Sequence, residues 1–254
     1  MKTLWLAALL GGFPPAAPQD EPAASAALEA WHVDPSGWLF ITRASVAGTA
    51  TRIDEGDEFR LDRGFVPMLK ARASFSANDA AGFRYVPIEL SGESTAPEDF
   101  IFHGTTYGAG RRVDSRLLLT VYDLDYRRRF RLDDRLTLTA RLGLEAWRFS
   151  ARLRTEDALP PISQRRSFSS LYWLGGADLD ADLSRGFGAR LSLLGGINEH
   201  DKHFFEVDAG AAYRPIPSIS LSAGLRLHRL RFDHVTNEAD LSFAGPYAGI
   251  EISF

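Results

Sequence analysis

Six histidines are the residues whose placement suggests chemistry in this chain of 254 residues. His103, His200, His203 and His234 fall between candidate strands, with Glu199, Asp201, Asp233 and Glu238 beside them. A neutral imidazole next to a carboxylate can serve as a general base or hold a metal ion. His200, His203, Asp233 and His234 are therefore the candidate catalytic set, and solvated loop histidines are the alternative. His228 lies in a candidate strand near the same rim, and His32 lies upstream of the first one. The chain has no cysteine, which excludes disulfides, thiolate metal sites and cysteine nucleophiles. No cofactor or metal is expected from the remaining pattern.

The elements that must position these residues show a period of two. In the segment 136–146, Leu136, Leu138, Ala140, Leu142, Leu144 and Ala146 alternate with Thr137, Thr139, Arg141, Gly143 and Glu145. A helix would mix the two sets, so this is a strand with one oily and one wet face. Ala177, Leu179, Ala181 and Leu183 alternate in the same way with Asp178, Asp180 and Asp182. Ile219 to Leu227 repeats the pattern against Ser220, Ser222 and Arg226. Turn signals divide the chain into ten strands near 38–50, 66–77, 82–93, 112–131, 135–154, 167–184, 188–198, 203–214, 218–233 and 240–254. Short turns alternate with longer polar connections, which is the layout of a transmembrane barrel. Eight or twelve strands are alternatives, because 51–65 has room for another hairpin arm.

Which face meets lipid is decided by three features. Aromatic residues gather at both ends of the strands. Trp38, Phe40, Phe75, Phe83, Tyr126, Phe130, Phe187 and Tyr213 lie on the short-turn side; Trp147, Phe149, Phe168, Tyr172, Trp173, Phe204, Phe205 and Phe232 lie on the loop side. Such belts suit two membrane interfaces. The oily face is Ala-, Leu-, Gly- and Val-rich, and the chain closes on Ile250, Ile252 and Phe254 on one face. That terminal strand resembles the signal that Gram-negative outer-membrane β-barrels present to their assembly machinery, and the resemblance covers 38–254. A soluble exported β-barrel is the alternative.

With the oily face outward, the expected interior carries Arg43, Lys70, Arg72, Arg127, Arg129, Arg141, Arg190, Arg214 and Arg226. Opposing them are Glu89, Asp123, Asp125, Glu145, Asp178, Asp180, Asp182, Glu206, Asp208 and Glu251. A barrel this narrow is filled by its side chains, so the prediction is a polar plug of ion pairs, with a narrow porin-like pore as the alternative. Outer-membrane proteases of the omptin type carry an Asp–His pair and an aspartate pair at the rim. Here Asp233 and His234 are adjacent, and no matching aspartate pair is present. Lipid-A deacylases use a His-x-Ser pair on a strand, which the strand histidine His228 does not provide. Residues 94–111, with Phe100, Ile101, Phe102 and Tyr107, suggest a lid over the mouth or an adhesive patch, with an extension of the interfacial belt on longer strands as the alternative.

The start of the chain, with Lys2, a short apolar run and then prolines, predicts a signal peptide over 1–26. Residues 27–37 are expected as a periplasmic lead-in and 38–254 as the barrel. A formal charge of −4 gives no reason to expect nucleic-acid binding. The expected partners are outer-membrane lipid and the assembly machinery, with the oligomeric state open. The expected function is structural or loop-mediated binding, with a rim hydrolase (protease- or lipase-like) or a narrow channel as the alternatives.

Overall fold

The computed structural model describes residues 23–41, 52–54, 59–157, 161–184, 186–198, 203–234 and 237–254. Among these residues thirteen strands follow one another: β1 (Ala24–Ile41), β2 (Arg52–Asp54), β3 (Gly64–Ser74), β4 (Asp79–Thr95), β5 (Phe100–Phe102), β6 (Thr105–Tyr107), β7 (Arg112–Arg131), β8 (Leu136–Thr155), β9 (Ile162–Ser184), β10 (Phe187–Ile197), β11 (His203–Ile216), β12 (Ile219–His234) and β13 (Asn237–Ser253). The ten long ones form an antiparallel barrel that closes where β13 pairs with β1. In the short-turn half closure leaves no sheet edge, so the backbone hydrogen bonds there are satisfied within the wall. The short β2 adds to the far end of β1, and β5 and β6 form a separate hairpin in the β4–β7 connection.

Nine of the expected strands are found with boundaries shifted by a few residues; the first is displaced. β1 runs over Ala24–Ile41, so residues 27–37 are barrel wall and not a lead-in. The alternation there is masked, because the inward set passes from Ser25 and Glu29 to Trp31 and Val33 partway along the strand. Most of the expected leader, and residues 42–50 of the expected first strand, lie outside the described residues. Residues 24–26 belong to the closing seam: the Ala24 amide donates to the Phe254 carbonyl at 3.0 Å, and the Phe254 amide donates back at 2.9 Å. Gly245 (φ +156°) serves the same seam, since a Cβ there would collide with the His32 carbonyl.

Four turns lie at the end where the chain enters and leaves, and the longest is four residues, 75–78 or 132–135. In the second of these the Asp133 carboxylate accepts from the amides of Arg135 and Leu136, both at 2.7 Å. Those amides hold its carboxyl below the ordinary range. The turn is thus braced above the ordinary carboxylate range and loosens as pH falls through the depressed value.

The chemistry of the two faces exchanges partway along each strand. On β7 the inward residues run Val113, Leu117, Leu119 and Val121, then Asp123, Asp125, Arg127 and Arg129. The outward residues run Arg112, Asp114 and Arg116, then Tyr122, Leu124 and Tyr126. On β8 the outward Leu136-to-Ala146 series gives way to Arg148, Arg152 and Arg154, while Trp147, Phe149, Ala151 and Leu153 turn inward. The expectation of a polar interior throughout therefore holds only for the short-turn half. Glu89 is corrected to the outer face, where it pairs with Arg116. Trp147, Phe149, Tyr172 and Phe204 are corrected from interface belt to buried core. Trp38 and Phe40 sit at the loop end, because β1 begins earlier than expected.

The outer face of the short-turn half is apolar and bare, with Leu142 55% exposed and Leu225 66% exposed. Ten steps from Leu136 to Ala146, at about 3.3 Å each and tilted about 40°, span about 25 Å, the height of a lipid-facing band. Tyr85 and Tyr122, with ring centroids 5.2 Å apart, mark its upper border, and Phe187 and Tyr213, 4.5 Å apart, its lower one. An arginine in the middle of this band must face hydrocarbon. We expect Leu142→Arg to cost about 2–4 kcal/mol in lipid vesicles. Thr106→Arg, exposed on the β5–β6 hairpin above the band, should cost less than about 0.5 kcal/mol. Guanidinium unfolding of both variants in phosphatidylcholine vesicles checks this, and equal costs would contradict the assignment of the band.

Candidate functional site: the barrel interior

Where the two zones meet, a layer of buried charges crosses the lumen. Arg84 enters from β4, and Gly82 below it leaves the space that the Asp125 and Arg127 side chains fill. Its Nη1 donates to Glu206 Oε1 at 2.5 Å and its Nη2 to Glu145 Oε2 at 3.3 Å, while Nε donates to Asp123. β4 and β11 stand on opposite sides of the ring of strands, so the Arg84–Glu206 pair ties the wall across its diameter. Arg226 on β12 makes a second hub. Its Nε donates to Asp208 Oδ2 at 2.9 Å and its Nη2 to Glu29 Oε2 at 2.8 Å. Its guanidinium lies over the Tyr247 ring at 4.6 Å, and Tyr247 Oη donates to Asp208 Oδ1 at 2.7 Å. Lys70 Nζ reaches Glu29 Oε1 at 2.5 Å. His228 Nδ1 lies 3.0 Å from Glu206 Oε2, and Trp147 Nε1 donates to Glu145. The planar, five-donor guanidinium is what lets one cation serve several carboxylates in so little space.

Above this layer the lumen is a hydrophobic core. Leu119, Phe149, Leu153, Phe204 and Leu241 from the wall pack with Phe59, Phe100 and Phe102 from the connections. The β5–β6 hairpin thus turns its apolar side into the mouth. Phe100 stacks on Tyr107 at 5.0 Å, and the Tyr107 hydroxyl donates to the Leu153 carbonyl at 3.0 Å. Burial pushes the Tyr107 hydroxyl up to about 12, so it keeps its proton and its hydrogen bond through the physiological range.

Below the layer is a cavity of about 540 Å³. It reaches the short-turn end at Asn78, Asp134 and Pro217, and stops at Arg84, Glu206 and Arg226. Its wall carries most of the remaining charges expected inside. Arg127 donates to Asp125 Oδ1 at 2.8 Å, Arg141 to Asp125 Oδ2 at 2.6 Å, and Arg190 to Asp180 Oδ1 at 2.6 Å. Asp178 accepts from Ser192 at 2.5 Å, and Arg214 lies 3.5 Å from Asp182. Arg129 and Glu251 also line it. Cations and anions interleave, so the cavity is polar and suited to water rather than to an apolar ligand.

Every expected interior charge among the described residues is found inside except Glu89; Arg43 lies outside the described residues. Two central members, Arg84 and Glu29, were missed. Arg84 sits between the outward Phe83 and Tyr85, so the period of two did mark it. Glu29 was hidden by the misplaced first strand. The rim candidates do not converge. His103 forms the tip of the β5–β6 hairpin with φ 50°, His203 is exposed on the outer face of β11, and His228 is buried in the charge layer. His200 lies outside the described residues, as do the side chains of Asp233 and His234. Among the described residues, no three His, Asp or Glu side chains stand close enough to hold a metal ion. Ile250, Ile252 and Phe254 lie on the outer face of the closing strand end, all exposed.

The chain matches no protein-family model and no curated protein sequence. Among solved structures it is similar to the outer membrane protease OmpT of Escherichia coli, with a TM-score of 0.54 at 11% identity, over 92% of this chain and 97% of that one. It is also similar to the transport unit of the autotransporter AIDA-I of Escherichia coli, at TM-score 0.46 and 8% identity, over 95% and 94%. The translocator domain of the autotransporter NalP of Neisseria meningitidis aligns at TM-score 0.42 and 12% identity, over 91% and 88%. The fold is that of the Gram-negative outer-membrane β-barrels, and with its apolar band it places the chain in the outer membrane.

The charge layer makes Arg84 indispensable to its neighbours. Replacing it with methionine strands Asp123, Glu145 and Glu206 without their shared cation, at an expected cost of about 3–5 kcal/mol. Adding Glu145→Gln and Asp123→Asn to Arg84→Met should restore part of that loss, as comparison of the triple variant with Arg84→Met alone reads it. Denaturant unfolding in vesicles measures both; a neutral Arg84→Met would contradict the shared-cation role.

Proposed function

We propose that this protein is a non-conducting outer-membrane barrel that works through its surface outside the bilayer, in a structural or binding role. The observation that carries this reading is the double seal of the lumen. The cavity entered from the short-turn end is blind, because the Arg84 and Arg226 hubs close it and an apolar core occupies the mouth beyond. Ions moving through would have to displace cross-lumen ion pairs and then cross a stretch lined by Leu, Phe and Trp side chains. Material and energy are invested in the part above the membrane. β8 alone continues nine residues past Ala146, to Thr155, with a water-facing exterior and a packed interior. β2 pairs with β1, and the β5–β6 hairpin packs into the mouth, so the described part of the upper surface is held in shape. A rigid presented surface loses little conformational entropy when a partner binds. Export by the N-terminal leader and insertion through the terminal Ile250, Ile252 and Phe254 strand are part of the same proposal. Planar-bilayer recordings of the purified barrel test it: no steady conductance is expected, and large, steady, ion-selective currents would overturn it.

A further inference from the structure

The outer wall just above the membrane border carries an arginine–serine face on β8 and β9. The register places Arg116, Arg152 and Arg165 side by side on three adjacent strands, all pointing outward. Two rows nearer the membrane, Arg148 lies opposite Thr120 and Ser169. Between these rows stand Ser150 and Ser167, whose hydroxyls are 2.9 Å apart. The outward positions of β8 and β9 between these rows and the loop contain no carboxylate: they are Arg148, Ser150, Arg152, Arg154, Ser163, Arg165, Ser167 and Ser169.

Elsewhere on the same exterior, arginines are matched. Arg112, Arg116 and Arg154 pair with Glu93, Glu89 and Glu156, whereas Arg148, Arg152 and Arg165 form no ion pair among the described residues. Arg152 and Arg165 instead donate to Ser163 at 3.2 Å and Ser150 at 2.9 Å, which leaves their terminal nitrogens for another acceptor. Like charges directly opposite each other across a strand pair destabilise the sheet. An anion between them reverses that sign, and forked guanidiniums with flanking hydroxyls suit a phosphate.

The location selects the occupant. Immediately below Arg148 the wall becomes Ala146 and Leu171, the latter 56% exposed and part of the lipid-facing band. A ligand that lies along this wall therefore has acyl chains on Leu171 and Leu144 and its headgroup on the arginines. From Arg148 to Arg152 is four residue steps, about 13 Å along the strand, so the face has room for two phosphates of one headgroup. We propose that Arg148, Arg152 and Arg165, with the exposed Ser167 between them, form a binding face for the phosphate-bearing headgroup of an outer-leaflet lipid.

The test uses the full-length folded barrel in a neutral detergent, with native mass spectrometry and a titration reading bound lipid. The probes are lipid A carrying both phosphates, the same lipid with its phosphates removed, and inorganic phosphate. The expected result is binding of the phosphorylated lipid that weakens at least tenfold in the triple variant Arg148→Gln, Arg152→Gln, Arg165→Gln. Binding should be unchanged in Arg112→Gln, Arg229→Gln, the second on the β12 wall where Arg229 pairs with Asp240, and weak for the dephosphorylated lipid. Heat-shifted gel migration confirms that each variant is folded; if the triple does not fold, Arg152→Gln and Arg165→Gln singly should each weaken binding at least threefold. Equal binding of the two lipids, wild-type affinity in the triple or in both singles, or full displacement by millimolar inorganic phosphate would overturn the proposal.

Discussion

A strand that leaves a membrane must exchange the chemistry of its two faces. The pleat fixes which side each residue takes, but the solvent on that side changes from hydrocarbon to water at the border. In this barrel the exchange falls at one level on strands on both sides of the lumen: between Val121 and Asp123 inside β7, between Glu145 and Trp147 inside β8, and between Glu206 and Phe204 inside β11. Below it the polar side chains are inward because lipid excludes them from the wall. Above it the oily ones are inward because water does, so the upper barrel is built like a soluble domain around its own core.

The buried ion layer stands at that level for a physical reason. The lower interior is polar and opens to water, whereas the upper interior is dry. Charges at the junction lose solvent on one side and must find partners across the lumen. Arg84 and Arg226 meet that requirement by each serving two or more carboxylates. The Arg84–Glu206 tie also braces opposite walls of the barrel against one another. A filled lumen and a rigid upper body are therefore one consequence of the membrane border, and they direct any binding activity to the outer surface.

Most of this was readable from residue order. The 136–146 and 177–183 alternations mark wall strands because both faces there are uniform, oily on one side and wet on the other. Asp178, Asp180 and Asp182 mark one face as polar throughout, and the aromatic belts with the terminal Ile250, Ile252 and Phe254 set inside from outside. The reading failed where a strand straddles the border. In β1 the inward series Ser25, Glu29, Trp31, Val33 has no constant polarity, so it passed for a linker. In β4 the outward Glu89 and inward Ile88 looked like a reversed face, and Arg84 dropped out of view. Phe149 and Tyr172 resemble interface aromatics in the sequence, because an aromatic near a strand end has the same look whether it anchors a membrane or fills a core. Contacts between distant strands, such as Arg84 with Glu206, are not encoded in any local pattern.

The absence of native cysteine allows single labelled positions to be introduced along one strand. A fluorophore attached to Leu142→Cys, Arg152→Cys and Phe149→Cys in vesicles can be challenged with quenchers carried by lipid tails and with aqueous iodide. The two-zone barrel predicts that Leu142→Cys answers only to the lipid-borne quencher, Arg152→Cys only to iodide, and Phe149→Cys to neither. Quenching of Arg152→Cys from the lipid tails, or of Leu142→Cys by iodide, would contradict it.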